Sequence, residues 1–249
     1  MTSSFIKRLA VIATLTLVFA GPAAAQSIDL SGILPQAGGT ATGRIVQLVG
    51  LLTVLSIAPG LLVMVTSFTR FSIAFSFLRS GIGLQTAPAN IILISLSLFM
   101  TFYVMGPTFD RSWQTGLRPM MDNKLTEAEA FPKIVQPFRD FMLAQVRDKD
   151  LKLFNDLAKE SMKATDRDNV DLRILVPAFM ISEIRRGFEI GFLIVLPFLV
   201  IDVIVTTVIM SMGMMMLSPT VISLPMKVLF FVLVDGWNML VGNLIRSYT

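Results

Sequence analysis

The residues of this chain that could do chemistry are few, and they sit where charge is costly. Between positions 190 and 245 the ionisable side chains are Asp202, Lys227 and Asp235 alone. The sequence has no His and no Cys, which removes imidazole bases, thiolate nucleophiles, disulfides and the commonest zinc ligands together. No set of carboxylates is clustered for a hard cation, and no glycine-rich phosphate loop ending in Lys-Ser/Thr is present, so neither a metal nor a cofactor is expected. Ser223 and Lys227, four apart, are the one nucleophile–base spacing left for an intramembrane enzyme. Asp202 and Asp235 could instead be coupling carboxylates of a proton-driven secondary transporter, although no His and no carboxylate chain accompany them. The third reading is structural pairing. If the chain turns near Met216, Asp202 lies fourteen residues before the turn and Lys227 eleven after it. At about 1.5 Å per residue their depths differ by only roughly 4–5 Å, so the spacing predicts a pair across a hairpin. Asp235, eight residues beyond Lys227, shares approximately its helix face roughly 12 Å further along and would look for a partner on another chain.

A second constellation, Glu183, Arg185, Arg186 and Glu189, stands at the start of this apolar region. Glu183/Arg186 and Arg185/Glu189 have the spacing of intrahelical ion pairs; the same groups could bridge to a neighbouring subunit. The third feature is the tract Met212, Gly213, Met214, Met215, Met216, with Pro219 and Pro225 beyond it. Thioether side chains are unbranched and pack against changing shapes. The tract reads either as a Met-rich helix end in a bundle or as a deformable seal hinged at Gly213, Pro219 and Pro225. Its loop carries no charge, which places the tip in protein or along a cavity.

These groups are positioned by membrane-length elements. The chain of 249 residues is 54% hydrophobic and 15% charged, against roughly 25% charged in soluble domains. Residues 1–25 read as a cleaved signal peptide: Lys7 and Arg8, an apolar stretch, then Ala23-Ala24-Ala25 before Gln26. Residues 26–43 form a flexible lead-in. Residues 44–108 read as a first apolar hairpin, its first helix at 45–69 kinked at Pro59-Gly60. Arg70 and Arg79, without nearby acids, place the connection at 70–86 on the cytoplasmic side. A second helix at 88–105 is closed by Gly106-Pro107. Residues 109–186 form a charged helical extracytoplasmic segment, with fourteen basic and thirteen acidic residues at 110–186. Pro119, Pro132 and Pro137 punctuate it, Asp148/Lys152 and Asp156/Lys159 have helical spacing, and Pro177 opens the next helix. Residues 187–249 read as a second hairpin: an apolar run at 191–210 broken only by Pro197 and Asp202, the Met tract, and a last helix at 221–245. The mixed charge shows no nucleic-acid stripe.

The run at 177–192, PAFMISEIRRGFEIGF, resembles the signature of the FliP family of flagellar type III export-gate membrane proteins. The runs at 211–217 (SMGMMML), 223–227 (SLPMK) and 235–237 (DGW) resemble its other hallmark stretch. Ser218 departs from the Pro common in the family at that position, which leaves the tip less rigid. The resemblance implies an all-α membrane protein of helical hairpins with a charged extracytoplasmic segment, assembled as a homopentamer ring with FliQ and FliR. It implies a closed pore for unfolded flagellar subunits, with Met214, Met215 and Met216 as its gasket, in the bacterial inner membrane. It also implies that the hydrophobic segments are bent hairpins held largely above the bilayer plane. Injectisome relatives share the motifs but generally lack a cleaved signal peptide, so residues 7–25 favour the flagellar branch.

Overall fold

The computed structural model describes residues 41–248 apart from 85, 160–162, 164–165 and 215–216. The signal-peptide reading at 1–25, the lead-in up to residue 40, and Met215 and Met216 lie outside the described residues. Among the described residues every regular element is helical. The elements are α1 (Ala41–Met64), α2 (Phe68–Ile82), α3 (Asn90–Ser112), a π turn (Trp113–Leu117), α4 (Arg118–Met121), α5 (Glu127–Gln145) and α6 (Asp148–Leu157), followed by α7 (Leu172–Ser211), α8 (Pro219–Leu233) and α9 (Gly236–Arg246). The chain divides into Met1–Leu52 and Thr53–Thr249. Of the first unit only the opening turns of α1 are described; every later element belongs to the second.

α1 runs through Pro59, which lies inside the helix. The apolar stretch expected to continue to residue 69 breaks at residues 65–67, where hydroxyl side chains compete for backbone partners. Thr66 Oγ1 and Thr69 Oγ1 each donate to the Val63 carbonyl at 3.5 Å, and the Phe68 N–H donates to Thr66 Oγ1 at 3.5 Å. Residues 70–82, expected in a cytoplasmic connection, belong to helix α2, whose buried face carries Arg70, Phe71, Ala74, Phe75 and Leu78. α2 ends at Gly83, φ 89°, with the Gly83 and Leu84 N–H groups donating to Ser80 and Arg79 carbonyls. That pair of bonds is a Schellman cap, and its left-handed residue favours glycine.

Gly106-Pro107 does not close α3 either. The helix passes through both residues and, by way of the π turn and α4, extends over Asn90–Met121. The π turn lets Gly116 press against α5: a Cβ there would lie 2.4 Å from Ile134 Cγ1. Ser112 Oγ donates to the Ile134 carbonyl at 2.9 Å and holds the same approach. α5 starts in a capping box between Thr126 and Glu129 and runs through Pro132 and Pro137, which were expected to interrupt it. α6 begins with Asp148 and Asp150 in its first turn, favourable at a helix N-terminus. Asp148 is paired with Arg167 rather than with Lys152.

α7 is one helix of 40 residues, about 60 Å long at 1.5 Å per residue. Its N-cap is Asp171, whose Oδ1 accepts the Arg173 N–H at 2.8 Å. Pro177 therefore sits in the second turn, and the helix continues through Pro197 and Asp202. It also runs unbroken across residues 186 and 187, so the charged segment and the second hairpin share it.

α2 and α7 pack in parallel register. Arg70 meets Glu183; Cβ atoms placed on Gly187, Gly191 and Gly81 would lie 3.0 Å from Ile73, 2.5 Å from Phe77 and 2.9 Å from Val195. The sequence offset is 113 at the Arg70–Glu183 pair and 114 at the three glycine contacts. The contacts recur every fourth residue on both helices, as when i±4 ridges interdigitate, and the glycines bring the backbones together.

This register corrects the topology expected for Arg70. Arg70 lies beside Gln145 of α5, at the charged end of the molecule, and α2 descends from there alongside α7. The helix ends at Gly83 and Gly213 lie away from that end.

The last apolar stretch is also not one helix. α8 and α9 meet at a 65° bend, with Asp235 in the left-handed region, φ 50°. Asp tolerates that conformation better than most side chains. Gly236 permits the close turn, since a Cβ there would lie 2.2 Å from the Phe231 ring. Two apolar cores result. One gathers Phe71, Phe75, Leu78, Leu93, Met100, Phe198, Phe231 and Leu244; the other packs α5 and α6 on the first turns of α7 through Met142, Leu151, Leu175 and Phe179. By length and composition, Asn90–Met121 and Leu172–Ser211 could each cross a membrane, and two bent pairs bring the candidates to four.

Candidate functional site

Two polar layers cross the apolar bundle, and an exposed Met-bearing tip lies beyond them. The layer nearer the tip is built on Lys227. Its ammonium lies 2.6 Å from Asp202 Oδ2 and donates to the Gly81 carbonyl at 3.1 Å. Lys227 is 6% exposed, whereas the Asp202 side chain is 38% exposed. One cation thus joins α8 to α7 and to the last turn of α2, where carbonyl dipoles favour positive charge. Ser223 is buried one turn earlier on α8; the Lys227 ammonium is directed to Asp202 and Gly81. Asp235 is exposed at the α8–α9 joint, not on a helix face shared with Lys227, and its carbonyl accepts the Met239 N–H.

The layer at the charged end is built on Arg70, which is fully buried. Arg70 Nε donates to Glu183 Oε2 at 3.0 Å and Nη2 to Glu183 Oε1. Nη2 also reaches Gln145 Oε1 at 3.3 Å, and Nη1 reaches the Ser247 carbonyl and Oγ at 2.9 Å each. All five N–H groups of the guanidinium therefore face an acceptor. The Tyr248 ring covers the open face, 3.6 Å from Arg70 Cζ to the ring centroid, and its hydroxyl donates to Glu183 Oε2. Burial, and secondarily the Glu183 carboxylate, hold the Tyr248 phenol well above its ordinary pKa, with Arg70 and Arg186 opposing.

Glu183 is thus taken by Arg70, not Arg186; Arg186 donates to Gln145 Oε1 at 2.9 Å. Arg185 and Glu189 form the i,i+4 pair at 3.0 Å, exposed on both sides, with Arg147 3.8 Å from the same Glu189 oxygen. The sequence reading marks Arg70 only as a membrane-flanking charge and does not reach Gln145, Ser247 or Tyr248. The available signal was Arg70's place on the helical stripe Arg70, Phe71, Ala74, Phe75, Leu78. A cation on an apolar stripe with no acid on its own helix requires a partner elsewhere.

At the tip, α7 closes in a second Schellman cap. Gly213 has φ 73°, and the Gly213 and Met214 N–H groups donate to Met210 and Ile209 carbonyls. Pro219 occupies the first position of α8, and Pro225 lies inside it. Met212 and Met214 are exposed. An apolar crevice of about 520 Å³ runs between α7, α8 and α9, lined by residues including Ile194, Phe198, Phe230, Phe231, Met239 and Leu240. Among the described residues no three metal-ligating side chains converge.

The FliP family model matches residues 51–244. The chain is 58% identical over 242 residues to the flagellar biosynthetic protein FliP of Rhizobium meliloti (strain 1021), covering 97% of this chain and 99% of that protein. It is 59% identical over 244 residues to the protein of the same name from Agrobacterium fabrum, covering 98% and 99%. The Bacillus subtilis (strain 168) protein of that name is 49% identical over 203 residues, covering 82% of this chain and 91% of its own length.

Proposed function

The chain belongs to the FliP family, and from that premise we propose that it is a core subunit of the flagellar type III export gate. In this reading five copies, with FliQ and FliR, enclose a closed pore in the bacterial inner membrane after the signal peptide is removed. Unfolded flagellar subunits pass through it. The observation that carries the reading is the tip at 212–218. Its sequence carries no charge, it follows the cap that ends α7, and Met212 and Met214 are exposed in the single chain.

A ring of such tips would bring thioethers from Met214, Met215 and Met216 of each copy into one narrow lumen. A lumen without charge or strong donors dewets and blocks ions. An unfolded polypeptide displaces the soft Met rotamers without needing a sequence match, and resealing requires no chemistry. Gly213, Pro219 and Pro225 frame the tip as hinges. The length of α7 supports the family's raised geometry: about 60 Å of helix exceeds a hydrocarbon core of about 30 Å by a factor of two. Energy comes from partners or the proton gradient in this scheme, and the subunit carries no cofactor. The two polar layers hold the hairpins in place.

The test is ion conductance of the assembled complex in bilayers. Replacing Met214, Met215 and Met216 with Ala is expected to raise resting leakage while the complex still assembles. An intact complex with unchanged conductance removes the gasket role.

A further inference from the structure

We infer that Ser247–Tyr248 is a latch that seats on the buried Arg70–Glu183 pair and holds shut the helix break at residues 65–67. The geometry of the seat carries this independently of the export reading. α9 is a lever of eleven residues. At one end is the bent joint at Asp235; at the other is Tyr248, inserted between three elements. Its ring lies 5.5 Å from Phe71 of α2 and is stacked on Phe141 of α5 at 5.9 Å. Its hydroxyl lies against Glu183 of α7 and 3.2 Å from the Ser67 carbonyl. Gln145 Nε2 donates to the Tyr248 carbonyl at 3.3 Å, so α5 holds the backbone of the segment as well as its ring.

The seat depends on this segment in a specific way. Without it, Arg70 keeps Glu183 and Gln145 but loses both acceptors of Nη1 and the aromatic cover of its open face. A fully buried guanidinium cannot stay dry with two N–H groups unpaired. Water would then enter between α2, α5 and α7 at the level of Ser67. Ser67 is 0% exposed, and its Oγ is buried without a hydrogen-bond partner. Its side chain contributes nothing to the bonding of the seat, which makes it a silent reporter of whether the seat is covered. The lever has room to move, because α9 forms one wall of the 520 Å³ crevice and its joint to α8 is already bent.

The chain has no Cys, so a single introduced thiol reports unambiguously. Ser67→Cys is placed beneath the latch and Ser223→Cys, 2% exposed beside Lys227, serves as the control in the other layer. Each is labelled with a membrane-permeant maleimide in the full-length protein in its native membranes. With Tyr248 present both thiols are expected to label slowly. Tyr248→Ala is expected to accelerate labelling at position 67 by at least about tenfold through local opening and to leave position 223 slow. Tyr248→Phe keeps the ring and loses the hydroxyl, so a gain of roughly threefold at position 67 is expected, and it serves where the Ala variant does not accumulate. Unchanged labelling at position 67 in these variants overturns the latch. A parallel rise at both positions also overturns it, because it shows general loosening instead of a local seat.

Discussion

Arg70 and Glu183 stand 113 residues apart in the chain and meet as a two-toothed pair with neither side chain exposed. The contact fixes the parallel register of α2 and α7 at the charged end, and Lys227 closes the same pair of helices near the tips. Between the two polar layers the helices touch closely through Gly187, Gly191 and Gly81, so the glycine contacts and the two layers specify the same register.

Arg70→Met is expected to destabilise the subunit by about 3–5 kcal/mol, because it strands the Glu183 carboxylate in the interior. Glu183→Gln should cost less, since an amide can still accept from the guanidinium. Arg70→Lys should resemble Arg70→Met more than wild type, because three ammonium donors cannot span acceptors arranged for a planar fork. Thermal unfolding of the detergent-purified subunit measures all three. A wild-type midpoint for Arg70→Lys would show that the fork geometry is immaterial.

At the Lys227 layer the two partners are unequally buried, and the single variants should be unequal too. Asp202→Ala leaves a buried ammonium with one carbonyl and should cost roughly 2–3 kcal/mol; Lys227→Met leaves a partly exposed carboxylate and should cost about 1 kcal/mol. The double variant should be no worse than Asp202→Ala alone. Complex yield on native gels and unfolding midpoints of the subunit read the order. Strictly additive losses would mean that the two residues act separately in spite of their contact.

The approach of Asp202 and Lys227 was legible because it depends on counting along two helices joined by one tip. Arg70 was not legible in the same way. Its charge matched a membrane-flanking position, and its partner lies in a helix 113 residues later. The interruptions expected at Gly106-Pro107, Pro132 and Pro137 failed for one shared reason. A proline removes a single donor, and neighbouring helices decide whether the axis continues. The breaks at 65–67 and at Asp235 are instead set by local hydroxyl bonding and by the close approach of Gly236 to Phe231. Asp235 therefore came off the helix face on which residue counting had placed it. The all-helical character and the membrane-length apolar stretches needed only hydropathy and spacing, which are local properties of the sequence.

The glycines divide into two classes with opposite expected signs. Gly191→Ala sets a methyl 2.5 Å from the Phe77 ring in the α2–α7 contact and should cost about 1–3 kcal/mol by overpacking. Gly242→Ala meets nothing within 4 Å inside α9 and should gain up to about 1 kcal/mol of helix stability. Unfolding midpoints of the two single variants give the comparison. A tolerated Gly191→Ala would show that α2 and α7 can move apart at no cost, and would weaken the case for a fixed register.

The Tyr248 phenol supplies a pH signature. Burial and the Glu183 carboxylate raise its pKa above the ordinary value, and Arg70 and Arg186 only partly offset them. The folded state therefore holds the phenolic proton more tightly than the unfolded chain does. The stability tied to the neutral phenol is fully present below the unfolded pKa of about 10 and is lost as pH rises through the folded value. Lysines also titrate in this range, so the informative quantity is the difference between wild type and Tyr248→Phe. That difference in unfolding midpoint should be constant from about pH 7 to 9 and should shrink above about pH 10, where only the wild type has a phenol to ionise. Differences that stay parallel to pH 11 would mean that the phenol ionises equally in both states, and so that its hydroxyl is not held against Glu183.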